Sequence, residues 1–253
     1  MTIQSPVIEL QGICQSFNGR KVLDNFSVSI MAGEKLSLVG ESSAGKSTLL
    51  KIMVGLITPD QGSVKLFGRD INSLSGAELR KIRQRIGMQF QSGALFDSMS
   101  VMENLKLARR ESARDAQALA KANETEEPLS LLAEVGLASA ADRKPYQLSG
   151  GMKKRAALAR ALTTNPDLAI FDEPTAGLDP VTSRRIINLI KKISSKSGAA
   201  MILATTDVEV ARHFSPDLLI LNNGRLWARD SIEHLQASDN PFVQKLLSRL
   251  ITV

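Results

Sequence analysis

One run constrains this chain more than any other: Gly40-Glu41-Ser42-Ser43-Ala44-Gly45-Lys46-Ser47-Thr48. It meets the spacing G-x-x-x-x-G-K-S/T. The apolar stretch before it, residues 35–39, reads as a strand that runs straight into the first glycine. Residues 46–54 carry helix formers and stop at Gly55. Strand, glycine loop and helix together let backbone N–H groups wrap a phosphate, with the positive end of the helix behind it. Lys46 is placed to bridge β- and γ-phosphates, and the Ser47 hydroxyl to ligand Mg2+.

Two later motifs extend this chemistry. Asp172 and Glu173 end an apolar run over residues 167–171. Adjacent acids there are costly to bury unless a metal or a water uses them. Asp172 is the candidate for the Mg2+ shell and Glu173 for the general base that polarises the attacking water. Ser149-Gly150-Gly151 opens the helix-like run 152–162 and reads as a second anion site. A second cradle on one chain is redundant unless it faces a γ-phosphate held by another copy. Lys153, Lys154, Arg155 and Arg160 fall on several faces of that helix without interleaved aromatics. They read as a solvated surface, and no nucleic-acid partner is expected.

The rest alternates short strands with helices. Residues 7–30 read as strands, with Asn18-Gly19 as a hairpin turn between 13–17 and 21–23. Residues 63–67 are a further strand, and Ser75 with Glu78 form a capping box. Residues 95–147 are rich in Ala, Leu, Glu, Arg and Lys and are read as helices separated at Pro128, Gly136 and Pro145, with 124–127 a solvated loop. Residues 199–205 look like a buried parallel strand, and 218–228 a second hairpin around Asn223-Gly224. Phe242, Leu246, Leu247 and Leu250 give residues 240–253 an amphipathic helical pattern, expected as a contact element. The single cysteine, Cys14, excludes an internal disulfide framework and is expected as a small buried residue. No secretory signal and no apolar run of ~18–20 residues is seen, so a membrane role is expected to be peripheral. A net charge of +6 fits an anionic surface and by itself decides nothing.

With these motifs in this order, the chain resembles the ABC (ATP-binding cassette) ATPase subunits over essentially its whole length. The resemblance implies an α/β fold: a P-loop NTPase (RecA-like) core with an antiparallel β subdomain and an inserted helical subdomain. Residues 1–92 and 158–238 would be the core, 93–157 the helical subdomain and 239–253 the tail. It implies ATP and Mg2+ as cofactors, a homodimer, and integral membrane permease subunits as partners. The place is then the cytoplasmic face of the inner membrane. Gln91, in Phe90-Gln91-Ser-Gly-Ala-Leu-Phe96, matches the glutamine that touches Mg2+ and water and senses the permease. Phe17 matches the aromatic that stacks on adenine, and Ala176-Gly177-Leu178-Asp179 the D-loop that links the two sites.

The 90–96 run, the run Leu148-Ser-Gly-Gly-Met152-Lys-Lys-Arg-Ala-Ala-Leu-Ala-Arg-Ala161 and Asn240-Pro-Phe-Val-Gln look closer still to the Mla (maintenance of lipid asymmetry) ATPases and their plastid lipid-import relatives. That branch implies phospholipid transport with an MCE-domain protein and a small accessory subunit. Two positions depart from the family. Ser43 stands where a third loop glycine is usual, and Thr206 where a histidine contacts the γ-phosphate. His213 lies about two helical turns further on, ~10 Å away by helix rise. With Lys46, Ser149 and Glu173 intact, hydrolysis is expected. The alternatives are the ATPase of another ABC transporter, a soluble ABC-type ATPase, or a regulator with weak turnover.

Overall fold

The computed structural model describes residues 5–122, 124–241 and 243–244. In chain order the strands are β1 (Ile8–Phe17), β2 (Arg20–Ile30), β3 (Lys35–Val39), β4 (Gln61–Leu66), β5 (Arg69–Asp70), β6 (Ile86–Gln89), β7 (Leu168–Asp172), β8 (Ala200–Thr205), β9 (Asp217–Asn222) and β10 (Arg225–Ser231). The helices are α1 (Lys46–Met53), α2 (Gly76–Arg83), α3 (Val101–Ser112), α4 (Ala116–Lys121), α5 (Glu126–Glu134), α6 (Gly150–Leu162), α7 (Pro180–Ser197), α8 (Val208–Phe214) and α9 (Ile232–Gln236). They fall into two units: Met1–Gly76 with Ala200–Val253, and Ala77–Ala199.

In the first unit, β2-β1-β4-β5 form an antiparallel sheet. Beside it, β3 runs parallel to both β8 and β9, and β10 turns back antiparallel on β9. Every residue of β8 is buried, as expected of a parallel strand covered on both faces. The two asparagine–glycine turns fold as the sequence predicts. Asn18 (φ 50°) and Gly19 (φ 77°) join β1 to β2, and Asn223 (φ 47°) and Gly224 (φ 76°) join β9 to β10. Positive φ at both central residues is what a type I′ turn demands. The first turn pairs Phe17 with Arg20 and leaves the Phe17 ring 44% exposed at the strand end.

In the second unit, β6 and β7 pair in parallel, with every residue of β7 buried. Gly87 is obligatory here, because a Cβ would lie 2.3 Å from the Ala161 carbonyl oxygen of α6. The helices are bound by side chains as well as by apolar contact: Arg109 on α3 donates to Glu127 at 2.5 Å and to the Lys121 carbonyl at 3.0 Å.

Several expectations need correction. Pro128 does not interrupt a helix. It sits in the first turn of α5, where an N–H has no intrahelical partner to lose, and Glu126 and Glu127 are helical rather than loop. Cys14 is only half-buried, and its Sγ accepts from the Asn25 N–H at 3.3 Å. The predicted contact residues Phe242, Leu246, Leu247 and Leu250 lie outside the described residues. Val243 is fully buried with Val39, Leu218, Ile220, Ile232 and Leu235, so the tail begins on the core of its own chain.

Gln89, the last residue of β6, is fully buried, and neither its Oε1 nor its Nε2 has a hydrogen-bond partner. A buried polar group left unsatisfied costs about 1–3 kcal/mol. Gln89→Leu is therefore expected to stabilise the fold by about 1–2 kcal/mol. Urea unfolding would show a higher midpoint with an unchanged slope; a lower midpoint would mean the amide is satisfied after all.

Candidate nucleotide-binding site

The loop at Gly40 is shaped by backbone packing within the first unit. A Cβ on Gly40 would lie 2.4 Å from the Leu221 carbonyl oxygen on β9. One on Gly45 (φ 105°) would lie 2.9 Å from the Val22 carbonyl oxygen on β2. The turn of the second hairpin closes on the loop from outside: Gly224 N–H donates to the Ala44 carbonyl at 3.1 Å, and Asp24 N–H to the Gly224 carbonyl at 3.0 Å. Within the loop, Ala44 N–H donates to the Glu41 carbonyl at 3.2 Å. Lys46, 6% exposed, donates through Nζ to the Gly40 carbonyl at 2.8 Å and the Glu41 carbonyl at 3.1 Å. The cation is thereby held across the loop.

The start of α1 differs from those of α3, α6 and α8. Ser100 caps α3, Ser149 caps α6 and Asp207 caps α8, each accepting from a first-turn N–H. Gly45 precedes α1 with no side-chain cap. No side chain caps the first turn of α1, the arrangement that an anion site at a helix start requires. Glu41, Ser42 and Ser43 before it are exposed.

Thr206 belongs to the same edge. β3 and β8 are in register at Val39 and Thr205, so Gly40 and Thr206 leave the sheet at one level. Thr205 Oγ1 accepts from the Asp207 N–H at 3.0 Å, and the Thr206 side chain is exposed. His213 lies in the last turn of α8.

The second unit carries the acids. Asp172 (3% exposed) ends β7, and Glu173 (8% exposed) follows with φ 50°. A left-handed backbone on a glutamate is strained, which is characteristic of groups aimed for a task. The chain then turns tightly: Ala176 N–H donates to the Glu173 carbonyl at 3.3 Å and Leu178 N–H to the Thr175 carbonyl at 3.0 Å. Asp179 accepts from the Thr182 N–H at 2.9 Å in the first turn of α7. Hydrogen bonds from the Thr182 side chain and backbone hold its carboxyl below the usual range.

Gln91 is exposed in the turn after β6. Its loop is braced by residues that sequence reasoning missed. Asn104, buried on α3, accepts from the Phe96 N–H at 2.8 Å and donates to the carbonyls of Phe96 (3.1 Å) and Ser100 (2.9 Å). Arg160 on α6 donates to the carbonyls of Ala94 and Gly93. The solvated-surface reading of the basic residues on α6 is therefore wrong for three of the four. Lys154 donates to the Ala176 carbonyl, Arg155 to the Val135 carbonyl at 2.6 Å, and Arg160 to the Gln91 loop. Cations spread over several faces of one helix were the available signal. At the start of that helix Ser149 and Gly150 are exposed, with the Ser149 Oγ accepting from Met152 N–H at 3.3 Å.

Residues 23–176 match the ABC transporter family, and the chain belongs to it as the ATP-binding subunit of an ABC transporter, an ATPase. The methionine import ATP-binding protein MetN of Clostridium acetobutylicum is 34% identical over 96% of this chain and 74% of its own length. MlaF of Escherichia coli K12, from an intermembrane phospholipid transport system, is 34% identical over 95% of this chain and 88% of its own. A solved dimeric ATP-binding cassette in a post-hydrolysis state, bound to ADP and Pi, has a TM-score of 0.80 at 32% identity and covers 89% of this chain and 98% of that one. Among the described residues, no helix is long and apolar enough to cross a membrane.

Ser43, at φ 67°, occupies the left-handed region that glycine takes without strain. Ser43→Gly is expected to stabilise the protein by about 1 kcal/mol, read as a higher thermal midpoint. A lower midpoint would show that the serine side chain contributes more than its backbone costs.

Proposed function

We propose that this subunit binds Mg-ATP between two copies of itself and hydrolyses it to drive a permease. The observation that carries the reading is the uncapped start of α1 with Lys46 held across the loop above it. The loop amides and Lys46 bind the β- and γ-phosphates, and Phe17 stacks on the adenine. Ser47, Asp172 and Gln91 are the proposed Mg2+ residues. Among the described residues no cluster of three His, Cys, Asp or Glu side chains could hold a metal alone. A hydroxyl and one carboxylate suit a small hard cation that also takes phosphate oxygens and water. Bound there, Mg2+ would neutralise charge on the transferred phosphoryl group. Glu173 takes the proton of the attacking water. Ser149, Gly150 and Gly151 of the second copy close on the γ-phosphate, and Thr206 donates one hydrogen bond to it.

Glu173→Gln should retain ATP binding, abolish turnover and accumulate a dimer, which sedimentation with Mg-ATP detects. A monomer at saturating nucleotide would refute the shared site. Thr206 reaches less far than an imidazole, and a γ-phosphate contact made in the transition state is worth on the order of 10²–10³ in rate. Thr206→His should therefore raise kcat about tenfold or more with little change in ATP affinity. Equal rates for the parent, Thr206→His and Thr206→Ala would remove the residue from the mechanism.

We further propose phospholipid as the cargo, with the subunit peripheral on the cytoplasmic face of the inner membrane. Identity is equal to the methionine and phospholipid relatives, at 34%. The run 90–96 and Met152 support the lipid branch. Subunits co-purified from detergent-solubilised membranes should include an integral permease and an MCE-domain protein. A permease with a soluble amino-acid-binding protein instead would favour small-solute import.

A further inference from the structure

The turn after Glu173 is held to the start of α6 by two contacts that the proposed chemistry does not use. Leu178 packs against Gly151 so closely that a Cβ there would come within 2.9 Å of Leu178 Cδ2. One helical turn along α6, the Lys154 ammonium donates to the Ala176 carbonyl. Ala176 in turn donates its N–H to the Glu173 carbonyl at 3.3 Å. A continuous path therefore runs from the Ser149-Gly150-Gly151 loop, through Lys154 and Ala176, to the backbone of Glu173.

The two contacts differ in kind. The Leu178–Gly151 contact is apolar and non-directional. The Lys154–Ala176 bond is charge-assisted and directional, and so fixes where the carbonyl points. It acts on a strained backbone, because Glu173 holds φ 50° three residues before Ala176. A strained turn keeps its shape only while its surroundings over-determine it. Further bonds hold the turn from within and from α7, at Thr182. Lys154 supplies a polar anchor from the helix that carries the second anion loop.

We infer that Lys154 is a positioning residue for hydrolysis. It sets the carboxylate of Glu173 through the Ala176 carbonyl, and it transmits engagement of its own Ser149 loop by the other copy's nucleotide to its own Glu173. The two sites of the dimer are thereby made to fire together. The inference rests on the shared-site reading proposed above.

The test uses the full chain with Mg-ATP and two variants. Lys154→Met keeps the aliphatic stem and removes the donor; Lys154→Arg keeps a cationic donor. Steady-state turnover, its dependence on ATP concentration and the thermal midpoint are measured for each. Lys154→Met should lower kcat about tenfold and bring the Hill coefficient toward one, with KM and the midpoint close to the parent. Lys154→Arg should recover most of both losses. A kcat for Lys154→Met within about twofold of the parent would overturn the inference. So would a loss that Lys154→Arg shares in full, or one that follows a fall in the midpoint. A parent chain without turnover would overturn the ATPase reading itself, and the positioning role with it.

Discussion

Everything at the candidate site depends on backbone passing backbone where β3 becomes α1. The Leu221 and Val22 carbonyls stand where a Cβ on Gly40 and on Gly45 would have to be. Glycine at these two points lets the chain curl tightly enough to leave the amides at the start of α1 facing inward around one small volume. The asparagine–glycine hairpin at 223–224 then locks the loop from outside, and Lys46 supplies the matching charge from within. A larger residue at either glycine would open the loop and scatter those donors. The proposed phosphate cradle is thus a consequence of close packing as much as of hydrogen bonding.

The second unit solves a different problem, holding acids and loops in positions that the backbone does not favour. β7 is buried along its whole length, so the strand that delivers Asp172 cannot shift without disturbing a packed core. Glu173 then departs in a left-handed conformation. α6 answers with cations that reach carbonyls on three separate segments, at Ala176, Val135 and Ala94. Helix α6 therefore acts as a brace for the loops around it, and the loop that it begins with is the proposed second anion site.

Where one residue type answers one backbone need, the fold was legible in the sequence. Asn18-Gly19 and Asn223-Gly224 announced their turns because few other pairs accept positive φ twice in succession. The glycine loop, its strand and its helix were equally plain, and Ser43, where a glycine is usual, holds φ 67°. Legibility failed where the outcome hung on tertiary partners. Pro128 reads as a helix breaker, yet is harmless in a first turn. Asn104 reads as an ordinary polar residue on an amphipathic helix, and only the folded chain shows it buried beneath the Gln91 loop. The basic residues of α6 carried too little pattern to separate solvent-facing charge from charge spent on carbonyls.

The central claim is that the Ser149 loop of one copy closes on the phosphate loop of another. The chain has a single native cysteine, Cys14, so a chain with one cysteine of choice needs only one further substitution. Two Cys14→Ser, Glu173→Gln chains, one carrying Ser42→Cys and the other Ser149→Cys, are mixed and treated with a short bismaleimide. The account predicts a covalent dimer on a denaturing gel when Mg-ATP is present, and little without nucleotide or from either chain alone. Cross-linking that is absent, or that proceeds at the same rate with and without Mg-ATP, would contradict it.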